Sequence, residues 1–235
     1  MDKRVQIYVM THKPFTKPED PVYVPVHVGR KPWIKAHPGE KSPLLMYVGD
    51  DSGDNISAQN CYYSELTGMY WAWKNSDADY IGICHYRRYL LTHDGALFDQ
   101  RSVQKVLCSY DIITTKNLQL NFPYEEGFVH HHKKIYLDMT AQVVEELYPE
   151  YTNTFQRLVK EKHTYFGNML IAKKETYDAY MAWLFDILFA VQARVKVEEE
   201  DSYHRRIFGF LSEFLQYVWI VHNHLKVYEC MVGML

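Results

Sequence analysis

A histidine and two adjacent arginines stand directly behind an apolar run in the middle of the chain. The run Tyr80-Ile-Gly-Ile-Cys84 predicts a buried strand. The four residues that follow carry an imidazole, a phenol and two guanidinium groups: His85, Tyr86, Arg87 and Arg88. Ligands of open α/β sheets bind at the carboxyl ends of strands, and paired guanidinium groups suit phosphate oxygens. The stretch therefore predicts a site for an anion, above all a phosphate or diphosphate, unless both arginines pair with surface carboxylates.

Two other loops carry polar side chains that would reach the same edge of a parallel sheet: Thr11, His12 and Lys13 behind the first strand, and Asp54, Asn55 and Ser57 in a turn-rich stretch. Lys13 adds positive charge, whereas the short polar groups of Thr11, Asp54 and Asn55 suit a ribose or a uracil edge. Ser57 stands where a helix begins, and backbone N–H groups there favour an anion. The alternatives are that Ser57 only caps the helix and that Asp54 and Asn55 only form a turn.

Glu213 is the first candidate for a general base. It lies near the start of a predicted helix, in the stretch Phe208-Gly-Phe-Leu-Ser-Glu213. The alternative is that its carboxylate only complements the dipole of that helix. Asp138 and Asp201 are the competing carboxylates.

Two patterns look like metal sites but are placed wrongly for one. Asp77-Ala-Asp79 is an acidic pair of the kind that holds a divalent ion, but it precedes its strand and so predicts a helix-to-strand turn. The histidines of His130-His131-His132 are consecutive, and consecutive side chains rarely face one ion. Contact of one of them with a substrate hydroxyl or phosphate is the preferred interpretation. We expect no metal ligands and no required cofactor, because fixed cations would replace a metal, but dependence on a divalent ion stays open.

Hydrophobic periodicity predicts the elements that must position these residues. Strands are expected near 6–10, 44–48, 79–84, 111–115, 166–172 and 226–232, and helices near 57–75, 137–147, 151–160, 177–191 and 207–221. Residues 16–43 hold six prolines and predict an irregular excursion, and residues 122–134 predict a polar loop. Strand, loop, helix and strand in this order indicate a parallel βαβ unit.

Composition restricts the class of protein. The chain has 235 residues, 47% of them hydrophobic, and a net charge of -3, which argues against a nucleic-acid binder. None of the four cysteines forms a Cys-x-x-Cys pair, so a reducing cytoplasm is the simplest interpretation. The longest apolar tract is too short to span a bilayer, which leaves peripheral contact with the inner face of a membrane open.

Several blocks together resemble DUF4422, a family of bacterial glycosyltransferase-like proteins of capsular and exopolysaccharide biosynthesis. The similar blocks run in order along most of the chain: Ile7-Tyr-Val-Met-Thr-His-Lys-Pro14, Gly53-Asp-Asn-Ile-Ser57, Tyr63-Ser-Glu-Leu-Thr67, Tyr70-Trp-Ala-Trp-Lys-Asn75, Asp79-Tyr-Ile-Gly-Ile-Cys-His-Tyr-Arg-Arg-Tyr89, Tyr148-Pro-Glu-Tyr151, Asn168-Met-Leu-Ile171, Trp183-Leu-Phe-Asp-Ile-Leu188 and Gly209-Phe-Leu-Ser-Glu213. The His-Tyr-Arg-Arg block is the most specific. The excursion at 16–43 and the histidine triplet depart from the pattern, as does Phe214, where relatives often carry a basic residue.

The resemblance implies one GT-A-like (Rossmann-like) α/β/α domain over residues 1–235, with a central, mostly parallel sheet. It also implies transfer of a sugar from a nucleotide donor, a UDP-sugar such as UDP-galactofuranose, to a glycan or lipid-linked glycan acceptor in capsule, exopolysaccharide or O-antigen synthesis. On this basis Thr11, His12, Asp54 and Asn55 would hold the nucleoside, and Lys13, His85, Arg87 and Arg88 the diphosphate.

The acceptor would approach from the His130 side and meet His131, His132 and Asn168, with Glu213, Asp138 and His85 as candidate catalytic residues. Two other classes of function stay open. One is a non-catalytic module that binds a sugar nucleotide or glycan, and the other is a metal hydrolase built on the histidine triplet.

Overall fold

The computed structural model describes residues 3–234. The strands of this part of the chain are β1 (Val5–Thr11), β2 (Tyr23–His27), β3 (Val48–Gly49), β4 (Tyr80–His85), β5 (Arg88–Leu91), β6 (Ile112–Thr115), β7 (Leu118–Gln119), β8 (His163–Thr164), β9 (Leu170–Lys173) and β10 (Val227–Met234). The α-helices are α1 (Arg30–Ala36), α2 (Asn60–Tyr63), α3 (Leu66–Asn75), α4 (Gln100–Val106), α5 (Tyr124–His131), α6 (Lys134–Leu147), α7 (Thr152–Leu158), α8 (Lys174–Gln192) and α9 (Ile207–His222).

The main sheet has the strand order β3-β2-β1-β4-β5-β10-β6-β9. From β3 to β4 every pairing is parallel, so the carboxyl ends of these strands meet at one edge. Beyond β4 the sheet is mixed, because β5 runs antiparallel to β4 and β10, and β9 runs antiparallel to β4 and β6. The pairing of β9 with β4 closes β4, β5, β10, β6 and β9 into a ring.

The prediction of a mostly parallel sheet is therefore wrong for this second half. The antiparallel pairing begins at a tight turn: after β4 the chain reverses at Tyr86 and Arg87 and continues directly as β5. Periodicity reports whether a strand is buried, but it does not report the direction in which that strand pairs. The fold is thus a mixed α/β fold with a parallel half that carries the site described below.

Side chains of the sheet alternate between two layers, as the period of a strand requires. Tyr8 and Met10 of β1 pack in the larger core with α3, α6, α8 and α9. Ile7 and Val9 pack on the opposite face, where Val103 of α4 and a few loop residues form a smaller core. The helices therefore brace the sheet mainly from one side.

Two segments predicted to be irregular contain regular structure. The proline-rich stretch holds β2 and α1. Pro25 is tolerated because β3 pairs only with the last two residues of β2, and Pro32 because it lies in the first turn of α1. The segment predicted as a polar loop contains α5, whose acidic first turn and histidine-bearing last turn match the helix dipole.

No helix within residues 3–234 is long and apolar enough to cross a membrane. Of the cysteines, Cys84 and Cys230 are buried, Cys61 and Cys108 are exposed, and none of them is in a disulfide.

Candidate active site

An open cleft lies at the carboxyl ends of β1 and β4 and has a volume of about 720 Å³. Six residues predicted to bind an anion or nucleoside line it: Thr11, His12, His85, Tyr86, Arg87 and Arg88. Three charged residues that the sequence analysis did not single out line it as well: Glu65, Arg205 and Arg206. We call this cavity the cationic cleft, because four guanidinium groups and one carboxylate face it among the described residues.

Positive charges near the cleft lower the pKa of its histidine His12. Burial lowers the pKa of His12, and the charges of Lys13, Arg87 and Arg206 lower it further. Arg87 also stacks over the ring of Tyr86, with its guanidinium carbon 5.0 Å from the ring centroid. Like charges held this close repel one another, so an anion placed among them relieves that repulsion.

His85 is the last residue of β4 and is 9% exposed. Its Nε2 lies 2.6 Å from the carbonyl oxygen of Gly167 and must carry a proton, because a carbonyl can only accept. Burial lowers the pKa of His85; the Glu65 carboxylate opposes this shift, and Arg88 adds to it. His85 is therefore neutral near pH 7 and adds no charge for a diphosphate, contrary to the expectation from the sequence.

The peptide group of Gly167 hydrogen-bonds to one residue of the cationic cleft and to one residue of a second cavity. The Gly167 carbonyl accepts from His85, and the Gly167 N–H donates to Oε1 of Glu213 at 2.7 Å. Gly167 has a φ of 97°, a conformation that residues with a Cβ rarely adopt. Glycine at this position thus allows one peptide to hold a cleft residue on one side and a carboxyl group on the other.

The second cavity, the aromatic groove, has a volume of about 420 Å³. Its lining is dominated by rings: Phe122, Tyr124, Phe128, His131, His132, Phe166, Tyr203 and Phe210. Glu213 of α9 also lines it. His132 adds no charge here, because burial lowers its pKa to about 4.

Burial also controls the ionisation of Glu213. It raises the pKa of this carboxyl to about 8, and the charge of Glu65 acts in the same direction. The Gly167 N–H and Arg88 oppose the shift. A carboxyl group that ionises near neutral pH within an apolar cavity has the property expected of a general base.

Asn168 holds this arrangement together from inside. It is 1% exposed and has a φ of 49°. Its Nδ2 donates to Oε1 of Glu65 at 2.7 Å and to the Gly209 carbonyl at 3.0 Å, and its Oδ1 accepts from Ser212. Because the side chain is enclosed and bonded on both ends, we assign it a positioning role instead of the predicted contact with an acceptor.

The loop residues predicted to grip a nucleoside lie in different places. Thr11 lines the cleft, but its hydroxyl closes a local turn with the backbone of Lys13. Asp54 lies beside α3, where it accepts from the hydroxyl of Tyr70 at 3.2 Å. Asn55 forms a turn in which its Oδ1 accepts from the backbone N–H of Ser57. The turn-forming alternative thus describes the observed geometry of Asp54 and Asn55.

Ser57 is fully buried and lies in a 3₁₀ turn, where its side chain does not cap the helix. Its hydroxyl donates to the buried carboxylate of Asp50 at 2.5 Å. The same carboxylate accepts from Thr67 and from the backbone of Gly29 and Arg30. Ser57 therefore belongs to a network that fixes the loop after β3 against α3.

The remaining candidates lie outside the cleft. Asp138 is exposed on α6, pairs with Lys134 one turn away at 2.5 Å, and lines neither cavity. Asp79 accepts from the backbone of Arg4 in the connection between α3 and β4, which is the turn expected for the acidic pair. Within residues 3–234, no three His, Cys, Asp or Glu side chains are grouped so as to hold a metal ion.

Three residues of the cleft were missed by the sequence analysis, although the chain contains hints of them. Arg205 and Arg206 follow His204 and thus repeat the histidine-arginine-arginine composition found at the end of β4. Glu65 lies in one of the blocks that resemble DUF4422. Because hydrophobic periodicity predicts one continuous helix over 57–75, Glu65 was not predicted to line a cavity. The helix is in fact interrupted at Ser64, which has a φ of 49°, and the break places Glu65 in the cleft.

Comparison with known proteins agrees with this architecture. Residues 6–224 match the family described as Domain of unknown function (DUF4422). A search of curated proteins gave no match. Among solved structures, the fold is similar to that of the bifunctional glycosyltransferase WbbM in its apo form, with a TM-score of 0.85 and 26% sequence identity. The similarity covers 99% of this chain and 45% of WbbM, so the chain spans less than half the length of that protein.

Proposed function

Because the chain belongs to the DUF4422 family, we propose that it is a glycosyltransferase that moves a sugar from a nucleotide donor to a glycan acceptor. One observation carries this proposal: the Gly167 peptide has the cationic cleft on one side and the half-buried carboxyl group of Glu213 on the other. Glycosyl transfer with inversion uses both, since the diphosphate leaves on one side of the sugar and a hydroxyl, activated by a base, attacks on the other. The similarity to WbbM supports the same class of enzyme.

The cationic cleft takes the nucleoside diphosphate of the donor. Arg87, Arg88 and Arg206 supply charge-assisted hydrogen bonds to its oxygens. His85, which is neutral, lines the cleft without adding charge. Negative charge grows on the leaving diphosphate as the glycosidic bond breaks. Fixed cations at that position stabilise the transition state more than the ground state, which is the requirement for catalysis.

The aromatic groove takes the acceptor, with Glu213 as the base. The acceptor oxygen forms a bond to the anomeric carbon, and the bond from that carbon to the diphosphate breaks, with its electron pair leaving on the nucleotide. The hydroxyl proton passes to Glu213. Attack from the side opposite the leaving group inverts the anomeric carbon.

The finer assignments rest on the family resemblance and on the charges of the cleft. We propose UDP as the nucleotide, a hexosyl group such as galactofuranose as the sugar, and a glycan or lipid-linked glycan of capsule, exopolysaccharide or O-antigen synthesis as the acceptor. The arginines replace a metal ion at the diphosphate. The protein would work in the cytoplasm, at the inner face of the membrane.

Calorimetric titration tests the donor assignment. UDP, GDP and dTDP are each titrated into the full chain, with manganese and separately with EDTA. We expect UDP to bind most tightly and EDTA to leave its affinity unchanged. Manganese-dependent binding would contradict the replacement of a metal by arginines. If no nucleotide binds, the donor assignment is wrong, and a module that binds glycans becomes the better description.

A further inference from the structure

The cationic cleft contains one carboxylate that a diphosphate site does not need. Glu65 is the single acidic residue among the described residues that line it, and it shares the cleft with Arg87, Arg88, Arg205 and Arg206. A carboxylate at this place repels a diphosphate and lowers the affinity of the cleft for it. Its presence therefore calls for a second binding partner with a different chemistry.

Glu65 is held firmly but is incompletely bonded. It lies where the break at Ser64 ends and α3 begins, and its Oε1 accepts from Asn168 at 2.7 Å. This is the one hydrogen bond that its side chain makes with the described residues. A carboxylate offers about four acceptor positions, so most of the capacity of Glu65 remains available to a ligand in the cleft.

The position of Glu65 relates it to the reacting centre. Its charge raises the pKa of His85 and that of Glu213, which lie on the two sides of the Gly167 peptide. Asn168, the residue that holds Glu65, follows Gly167 directly. Glu65 is therefore close to the Gly167 peptide, which lies between the two cavities, and in the proposed transferase the donor sugar would lie there.

A sugar supplies what Glu65 lacks. Its hydroxyl groups are neutral donors, neighbouring hydroxyls can bind to a carboxylate together, and a carboxylate accepts such bonds more strongly than a neutral group does. We propose that Glu65 binds hydroxyl groups of the donor sugar and so determines which sugar the enzyme transfers. This inference rests on the proposed glycosyltransferase function and extends it by assigning separate residues to the sugar and to the diphosphate.

Glu65→Gln tests the proposal, because it keeps the shape of the side chain and an oxygen for Asn168 while removing the charge. UDP, UDP-glucose, UDP-galactose, UDP-galactofuranose and UDP-N-acetylglucosamine are titrated into the wild-type chain and the variant. We expect UDP to bind as well as before or more tightly. The UDP-sugar that the wild type prefers should lose about tenfold or more in affinity.

Two further variants make the result decisive. Asp138→Asn removes an exposed carboxylate outside both cavities and should leave every affinity unchanged. Glu65→Asp keeps the charge but shortens the side chain, so it should also weaken UDP-sugar more than UDP; it serves as the test if Glu65→Gln does not fold by circular dichroism. Equal affinity of wild type and Glu65 variants for every UDP-sugar would overturn the inference alone. Absence of UDP and UDP-sugar binding to the wild type would overturn the proposed function as well.

Discussion

The cationic cleft and the aromatic groove are neighbouring cavities that differ in charge: the cleft is lined by cations, whereas the groove surrounds a carboxyl group that is neutral at pH 7. The cleft is open, about 720 Å³ in volume, and carries four guanidinium groups among its described residues. The groove is smaller, about 420 Å³, and surrounds one carboxyl group with aromatic rings. In the cleft, fixed charges are set out for an anion that comes from solvent. In the groove, removal of water keeps a carboxyl group protonated until near pH 8.

The difference shows how one short segment separates two chemical tasks. Gly167 bonds to His85 of the cleft and Glu213 of the groove, and Asn168 bonds to Glu65. Arg88 of the cleft opposes the rise in the pKa of Glu213, but burial is the larger effect, so the carboxyl remains weakly acidic. The four arginines line the cleft and Glu213 lines the groove, so positive charge and a weakly acidic carboxyl occur on the two sides of the Gly167 peptide.

Removal of the base should produce the largest effect. Glu213→Gln keeps an oxygen that can accept from the Gly167 N–H but cannot take a proton from an acceptor. We expect turnover to fall by about 10²- to 10⁴-fold while the affinity for UDP stays the same. Initial rates with a saturating donor, together with calorimetry, measure both quantities. Asp138→Asn is the matched control, and an active Glu213→Gln enzyme would refute the assignment of the base.

Loss of one cation of the cleft should weaken the binding of UDP. Arg88→Ala removes a charge-assisted contact and should cost about 1.5–3 kcal/mol of UDP binding. Arg101→Ala, which removes an exposed arginine from α4, is the control and should not change the affinity. Calorimetry at fixed ionic strength is the measurement. Equal affinities of the two variants would show that the diphosphate does not lie beside Arg88.

The raised pKa of Glu213 predicts how activity depends on pH. The base must be ionised, so kcat/KM should rise with pH and level off above about 8. Below that value it should fall by about tenfold per pH unit as the carboxyl becomes protonated. A profile that stays flat from pH 6 to 9 would contradict a base with this pKa. Glu65→Gln should move the midpoint to lower pH, because the Glu65 charge contributes to the shift.

The same shift makes stability depend on pH, with the opposite sign to that of an ordinary ion-paired carboxylate. The ordinary pKa of 4.5 applies to the unfolded chain, and the folded value is about 8. Between these values the folded state holds a proton that the unfolded state has lost. The contribution of Glu213 to the free energy of unfolding should therefore be most favourable below pH 4.5 and fall by up to about 1.4 kcal/mol per pH unit between 4.5 and about 8. Chemical denaturation of the wild type and Glu213→Gln measures this slope, which the variant should lack.

The sequence predicts the buried strands and helices of the fold better than the turns and breaks between them. β1 and β4 follow from continuous apolar runs that are buried on both faces, and the long helices α6, α8 and α9 follow from apolar residues at helical spacing. The antiparallel return of β5 and the break at Ser64 were not predicted. Both depend on a backbone conformation of one or two residues, and residue type gives little information about it at these places.

The candidate site shows the same division. The stretch from His85 to Arg88 was found because charge follows a buried strand at once, and the structure does place it in the cleft. Arg205 and Arg206 reach that cleft from a distant part of the chain, directly before α9, where their segment packs against α2. The sequence also could not predict that His85 is neutral, because its protonation depends on its burial and on its hydrogen bond to the Gly167 carbonyl.

The smallest expected effect concerns the wall of the aromatic groove. Phe210 packs against His132, with 4.4 Å between ring centroids, and against Tyr203 at 5.3 Å. Phe210→Ala removes one stacking surface, worth about 0.5–1.5 kcal/mol, so KM for the acceptor should rise by a few-fold to tenfold. Affinity for UDP should not change, because the cleft lies across the Gly167 peptide. Tyr110→Ala removes an exposed ring that lines neither cavity and is the control. If Phe210→Ala weakened UDP as strongly as it weakened the acceptor, the cleft and the groove would have to be regarded as one site.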